Sequence, residues 1–309
     1  MASVTRFAPS PTGLLHVGNG YSALCCRRWA EEQGGRLLLR IEDIDHTRCR
    51  ARFVDALLED LRWLGIAWEG DVWFQHARMD AYRSAIARLE RQGLLYPCFC
   101  SRAQIAARLA RSAPHGRQRW RYPGTCRRLT AAERRRRMEH EPYALRLDAR
   151  AAAALLTEPV VWREVDGGRH TVDVAALDDE VLMRRDIGVS YHLAVVVDDA
   201  AQGVDTVIRG ADLRAAAPLH AVLQRLLDLP APGYLHHRLV RDRQGRRLAK
   251  RDGATTLRAL AGRGVSAEAL RSFLFAAERE GDPVWPPEPP LLPAAGWSGG
   301  GAVGEVQRR

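Results

Sequence analysis

The stretch that most restricts what this chain can fold into is its beginning, residues 4–41. VTRFAPSP reads as a short strand running into a proline-punctuated turn. Residues 18–33 follow with helical spacing, Tyr21, Leu24, Cys25 and Trp29 falling near one face, and Gly34-Gly35 ends the pattern. The apolar run RLLLRI at 36–41 then fits a strand buried on both faces. Strand, helix and strand at this spacing form a βαβ unit, which commits the chain to an α/β fold with a parallel sheet covered by helices.

Further along, 53–64 and 79–92 read as helices, 190–197 (SYHLAVVV) and 206–208 as strands, and 211–227 as a helix. Residues 237–251 lead into a loop, with helices to about Ala277. Between Tyr96 and Asp173 the pattern changes to Arg, Ala and Gly with clustered cysteines, as expected of an insertion. From Gly281 the sequence is rich first in Pro and then in Gly, the composition of a flexible tail. There is no internal repeat.

Hydrophobic residues make up 46% of the 309, enough for a sizeable core. No uninterrupted apolar run reaches the roughly 18 residues of a membrane span. MASVTRFAPS lacks a basic-then-apolar leader, so a cytoplasmic protein with reduced thiols is expected. The net charge of +10, with arginines clustered at 117–128 and 134–137, suits a polyanionic partner such as nucleic acid. A solvated arginine-rich surface has the same composition. Of the 47 basic residues other than histidine, only Lys250 is lysine.

The loop from Pro9 to Asn19 joins a strand to a helix. Such a junction aims backbone N–H groups and partial positive charge at one point, an arrangement suited to phosphate. Gly13 and Gly18 permit close approach, and His16 can donate a hydrogen bond without a permanent charge. By itself the segment fits an ordinary Pro/Gly loop equally well.

RFAPSPTGLLHVGN resembles the first signature of class I aminoacyl-tRNA synthetases, the "HIGH" motif in its glutamyl form, here His16-Val17-Gly18-Asn19. Asn19 replaces the last histidine. The second signature of that class, KMSKS, is similar to Arg247-Leu248-Ala249-Lys250-Arg251, and the chain's one lysine falls on its second lysine. Two separate motifs agreeing exceed either alone. The resemblance implies a Rossmann-type catalytic domain split between 1–96 and 174–240, a zinc-binding insertion at 97–173, a KMSKS-like loop with a helical part at 241–280, and the tail at 281–309. It also implies that ATP is held by His16, Gly18, Asn19 and Lys250, with Mg²⁺ and with His16 and Lys250 as catalytic groups.

A glutamate pocket needs a carboxylate for the ammonium and arginine for the side-chain carboxylate. LRIEDIDHTR (39–48), DIGVSYHLA (186–194) and VIRG (207–210) resemble the glutamate-site segments of the family. By that resemblance Arg6, Phe7, Ala8, Pro9, Ser10, Glu42, Tyr191 and Arg209 surround L-glutamate, with Glu42 facing its ammonium. These positions are expected at carboxyl ends of strands, where open α/β sheets bind ligands. Taken singly, each acid or arginine is equally a solvated surface charge.

Cys98, Cys100 and Cys126 offer three thiolates, and tetrahedral zinc needs four ligands. Three unrelated thiols is the alternative. His115 is a chemically suitable fourth ligand. The pattern Tyr122-x-x-x-Cys126 is similar to the family's zinc site, which implies Tyr122 in that place and one structural Zn²⁺ per chain.

Only 252–309 follow the second motif, which leaves no room for the helical anticodon-binding domains of a glutamyl-tRNA synthetase. This resembles the truncated paralogue family, the glutamyl-Q tRNA(Asp) synthetases. That implies tRNA-independent activation of glutamate, transfer to the queuosine base at the wobble position of tRNA(Asp), and a monomer. The rivals are a truncated synthetase charging a tRNA 3′ end, a glutaminyl relative, and a catalytically dead zinc-dependent RNA-binding paralogue.

Overall fold

The computed structural model describes residues 2–112, 121–248 and 255–285. His115, Ala249, Lys250, Arg251 and the expected tail beyond 285 lie outside the described residues.

The chain opens as its pattern requires, with β1 (Val4–Phe7), α1 (Val17–Glu32), β2 (Arg36–Ile41), α2 (Ala51–Trp63), the two-residue β3 (Trp73–Phe74) and α3 (Met79–Arg91). Next come β4 (Leu95–Cys98), α4 (Arg102–Ser112), α5 (Ala131–His140), β5 (Ala144–Leu147), α6 (Ala149–Leu155), β6 (Val161–Glu164), β7 (Arg169–Thr171) and β8 (Val181–Arg184). The last part holds α7 (Tyr191–Ala201), β9 (Thr206–Gly210), α8 (Ala217–Leu226), β10 (Gly233–His237), α9 (Leu257–Gly262) and α10 (Ala267–Glu280).

β1, β2 and β3 pair in parallel in that order. A second group runs β7-β6-β10-β9, parallel except at the β7 edge. Asp205, just before β9, donates its N–H to the carbonyl of Val4 at 3.0 Å, which sets β9 beside β1. From β1 the chain builds outward to β2 and β3 on one side, and later to β9 and β10 on the other. That reversal creates a crevice at the strand ends, the usual ligand position in open α/β sheets.

Alternation along the strands sorts the side chains. Phe7 pairs with Leu39, and both face a core shared with α1, α9 and α10. Arg6, opposite Leu38, points to the other face, as does Arg40, where α7 lies. Arg209 and His236 are register partners on that same side. Arg6 and Arg40 therefore sit under α7, and Arg209 meets His220 of α8, because the strand period is two.

Residues 190–197, expected as a strand, form the N-terminal part of α7. Four consecutive buried residues, Leu193 to Val196, erase the periodicity that separates helix from strand. Ser190 caps the helix through Leu193 N, and helical spacing brings Asp198 and Asp199 to the buried arginines. Tyr191 accordingly lies at a helix N-terminus rather than a strand end. The strand β10 occupies a stretch to which the sequence reading assigns no element, and ends where the loop-leading segment 237–251 begins.

β4, β5 and β8 form a separate antiparallel sheet, with Cys98 at the end of β4. Segment 97–173 thus contributes β5 to this sheet and β6 and β7 to the sheet of β9 and β10. Among the described residues no helix is long and apolar enough to cross a membrane.

Candidate active site

The loop after β1 is fixed at its helix end by a reciprocal cap. His16 Nδ1 accepts from Gly18 N at 3.1 Å, and Asn19 Oδ1 accepts from His16 N at 3.2 Å. Acceptance at Nδ1 puts the proton of a neutral ring on Nε2, the nitrogen then able to donate. A Cβ on Gly18 would lie 3.0 Å from His16 Cε1, so glycine is what lets the ring fold over the helix start. Asn19, expected to face ATP, has its side-chain oxygen engaged in the cap.

The same loop is joined to the chain beyond the second motif. Val17 N bonds to Thr255 O at 3.2 Å and Leu257 N to Leu15 O at 2.9 Å, while His16 and Thr256 form an antiparallel bridge. On the near side of 249–254, Leu248 N bonds to Val240 O at 3.1 Å, and Arg247 pairs with Asp212. Of the segments flanking Lys250, the one on the far side therefore touches the His16 loop. The His16 loop thus meets residues 255–257, which follow the second motif in the chain.

Beside this loop, Ser10, Thr12, Glu42, Asp45, Arg48 and Tyr191 line part of a cavity of ≈ 240 Å³. Glu42 N bonds to Pro9 O at 3.0 Å and ties the loops after β1 and β2 together. A larger cavity, ≈ 360 Å³, lies between Arg121, Arg127, Arg150 and Asp178 on the cysteine-bearing segment. Its walls are already paired, Arg127 with Asp179 and Arg121 with two carbonyls, and it shares no lining residue with the smaller cavity.

Behind the smaller cavity lies a buried charge network. Arg6 Nε binds Asp199 at 2.9 Å, and Arg40 reaches Asp199 at 2.8 Å, Glu42 at 3.5 Å and Gln202 at 2.7 Å. Asp198 takes Gln75, Arg78 and Tyr82 at 2.6–2.9 Å. Burial pushes the Glu42 carboxyl up to about 7, against the pull of Arg40 and Arg6. Burial opposes ionisation of Asp199 too, yet Arg6 and Arg40 together hold it below the usual carboxylate range. Burial and then Glu42 raise the Tyr191 phenol to about 12, while Arg209 and Arg6 oppose them. Glu42, Arg209 and Arg6 thus each act on Tyr191 through charge, and Glu42 and Tyr191 both line the cavity. The side chain of Phe7 lies on the opposite face of β1, so only its backbone can take part.

The sequence reading did not single out Arg40, Asp198 or Asp199. The usable signal was a pair of acids in an otherwise apolar helix, LAVVVDDAA. Buried charge of that kind must be paired.

The three thiols also converge. The sulfurs of Cys98, Cys100 and Cys126 lie within 4.8 Å of one another. Cys100 and Cys126 are 3.6 Å apart, and Tyr122 Oη sits 3.3 Å from Cys98 Sγ and 3.8 Å from Cys100 Sγ. Tetrahedral thiolate zinc with bonds near 2.3 Å sets sulfurs about 3.7 Å apart. Hydrogen bonding from Cys98 is the largest effect holding the Cys126 thiol below the ordinary thiol range, which favours the form that ligates a metal. The guanidinium of Arg146 lies 4.0 Å over the Tyr122 ring and offsets the negative charge of such a set. The donor set can bind zinc.

Comparison with known proteins agrees with this arrangement. The family described as "tRNA synthetases class I (E and Q), catalytic domain" matches residues 3–279. Among solved structures, a glutamate tRNA ligase from Elizabethkingia meningosepticum, in complex with its amino acid, superimposes with a TM-score of 0.74 at 25% identity. That match covers 89% of this chain and 60% of the ligase, so the chain spans less than two thirds of that protein. The chain belongs to the class I synthetase catalytic-domain family for glutamate and glutamine. A glutamyl-Q tRNA(Asp) synthetase of Rhodobacter capsulatus is 44% identical over 88% of this chain and 99% of its own length. One from Symbiobacterium thermophilum is 42% identical, covering 93% and 90%. Within the class, the chain belongs with the glutamyl-Q tRNA(Asp) synthetases.

Proposed function

We propose that this chain activates L-glutamate with ATP as glutamyl-adenylate, without tRNA, and transfers the glutamyl group to the queuosine base at the wobble position of tRNA(Asp). The observation that carries this reading is the junction of the His16 loop with Thr255–Leu257, beside a cavity walled by Glu42 and Tyr191 and backed by buried arginines. Near-full-length similarity to relatives of that name gives the acceptor.

In the first step an oxygen of the glutamate α-carboxylate attacks the α-phosphorus of ATP, and the bond to the bridging oxygen breaks as pyrophosphate leaves. No protein nucleophile is needed. Backbone donors at the start of α1, His16 Nε2 and Lys250 stabilise charge on the phosphates, with Mg²⁺ as the expected counter-ion. Glu42 takes the substrate ammonium, and Arg209, with Arg6, the side-chain carboxylate, with the backbone of Phe7 to Pro9 and Ser10 shaping the pocket. In the second step a hydroxyl of the queuosine ring attacks the activated carbonyl, and AMP leaves. Cys98, Cys100, Cys126 and Tyr122 hold one structural Zn²⁺ that stabilises the turn after β4. Arginines of α5 and its neighbours contact RNA phosphates.

Labelled glutamate supplied with tRNA(Asp), with and without queuosine, tests the acceptor. Label that requires queuosine supports the reading, and label on the 3′ end of a tRNA overturns it. Lys250→Ala should slow glutamate-dependent ATP–pyrophosphate exchange by roughly 10²-fold, the scale of one charge-stabilising group.

A further inference from the structure

Arg209 is 4% exposed, and its guanidinium is held from several sides. Nη1 contacts His220 Nδ1 at 3.1 Å, and Nε donates to His236 Nε2 at 3.2 Å. The plane lies 4.9 Å from the Tyr234 ring, which stacks parallel to His236. Among the described residues Nη2 is buried with no partner.

Arginine only donates, so both imidazole nitrogens facing it must be acceptors. That fixes the remaining protons. His220 carries its proton on Nε2 and gives it to His192 Nδ1 at 3.0 Å. His236 carries its proton on Nδ1 and gives it to Glu164, 3.1 Å away, which is itself paired with Arg214. The two chains lead outward from Arg209 in opposite directions and use up every nitrogen but Nη2.

We propose that His220 and His236 are positioning residues for substrate selection: as neutral imidazoles they hold Arg209 so that Nη2 is reserved for the side-chain carboxylate of the amino acid. The proposal rests on the reading that Arg209 binds that carboxylate. It explains why this arginine is buried with an unsatisfied nitrogen, an arrangement that stability alone disfavours. A glutamine side chain would offer Nη2 a neutral oxygen and a weaker bond. His220 is also faced by Arg6 of β1, by His192 and the Tyr191 ring of α7, and by His236 of β10. His236 is faced by Glu164, Arg214 and the Trp162 ring. Burial and then Arg209 keep His220 well below the ordinary imidazole range, and burial lowers His236.

The test is glutamate-dependent ATP–pyrophosphate exchange by the full chain. His236→Leu and His220→Leu should each raise KM for glutamate about tenfold, as expected for one charged hydrogen bond made poorly. KM for ATP should stay within about twofold, and preference for glutamate over glutamine should fall. His236→Gln and His220→Asn return an acceptor near the lost nitrogen and should recover most of the effect. Unchanged glutamate KM in both leucine variants, with Arg209→Ala impaired, overturns the clamp alone. Wild-type-like exchange in Arg209→Ala overturns the underlying reading as well. Should a leucine variant fail to fold, nitrogen-15 histidine spectra of the wild-type protein decide. The expected result is the Nδ1–H form of His236 and the Nε2–H form of His220 at pH 7, and either ring found protonated there refutes the proposal.

Discussion

At the scale of single residues, two positions are governed by their immediate surroundings. Glu42 is buried beside Arg40, and its folded pKa of about 7 lies above the ordinary value of 4.5. A raised folded pKa means that the folded chain holds the proton more tightly. This contribution to stability is full below about 4.5 and is lost as pH rises through about 7. Glu42→Gln should therefore remove a loss of stability between these values, read from urea unfolding midpoints measured across pH. On the proposed assignment the substrate ammonium favours the carboxylate, so binding expels a proton. Calorimetry of glutamate binding near pH 6.5, in buffers of different ionisation heat, should show proton release in the wild type and none in Glu42→Gln. Gly18 is the second case. Gly18→Ala puts a methyl 3.0 Å from the His16 ring and must displace it. Exchange should slow by roughly 10- to 100-fold, with KM for ATP raised and KM for glutamate nearly unchanged, the usual cost of misplacing a positioned group.

At the scale of elements, α7 and the turn after β4 owe their places to polar chemistry. Asp198 and Asp199 anchor α7 over β1 and β2 by neutralising Arg6, Arg40 and Arg78. Removing one partner of such a network leaves charge buried without compensation. Asp199→Asn should cost about 3 kcal/mol or more in urea unfolding, far above the effect of an exposed acid. The cysteine turn has a small apolar cluster of its own, Tyr96, Cys98, Ile105, Tyr122 and Cys126. Few apolar groups are available to hold it, which is where a metal contributes most. Chelation should release about one zinc per chain, and hydrogen exchange should then speed up at β4 and around Cys126 while β1 and β2 stay protected. Native protein that contains no metal by elemental analysis would falsify this assignment.

At the scale of the whole molecule, the net charge of +10 is carried almost wholly by arginine. α5 exposes Arg135 and Arg136, while Arg134 packs over Tyr96 and Arg137 pairs with Glu141, so two of its four arginines are free to meet RNA phosphates. Binding of queuosine-containing tRNA(Asp) should weaken steeply with salt, each phosphate contact adding about −0.7 to −0.9 to the logarithmic slope. Amino-acid activation needs no RNA contact and should change little over the same range. Filter binding and pyrophosphate exchange, measured side by side from low to moderate salt, distinguish the two. Parallel slopes would count against a separate RNA-binding face.

The sequence by itself determined what is local. The βαβ opening, the strand-to-helix junction from Pro9 to Asn19, the apolar run RLLLRI and the cysteine spacing all depend on near neighbours, so each is legible in the order of the residues. The two synthetase motifs are legible for the same reason, because each is contiguous. Tertiary structure alone decided how distant pieces meet. SYHLAVVV carries strand-favouring residues with no period, and burial under the sheet together with the pairing of Asp198 and Asp199 made it a helix. β10 became a strand through its two parallel neighbours. Asp199 against Arg6, Thr255 against the His16 loop, and His220 and His236 on either side of Arg209 join residues from 11 to about 240 positions apart. Side-chain charge and hydrogen-bonding capacity are written in the sequence, but which groups satisfy one another depends on the packed geometry that brings them within reach.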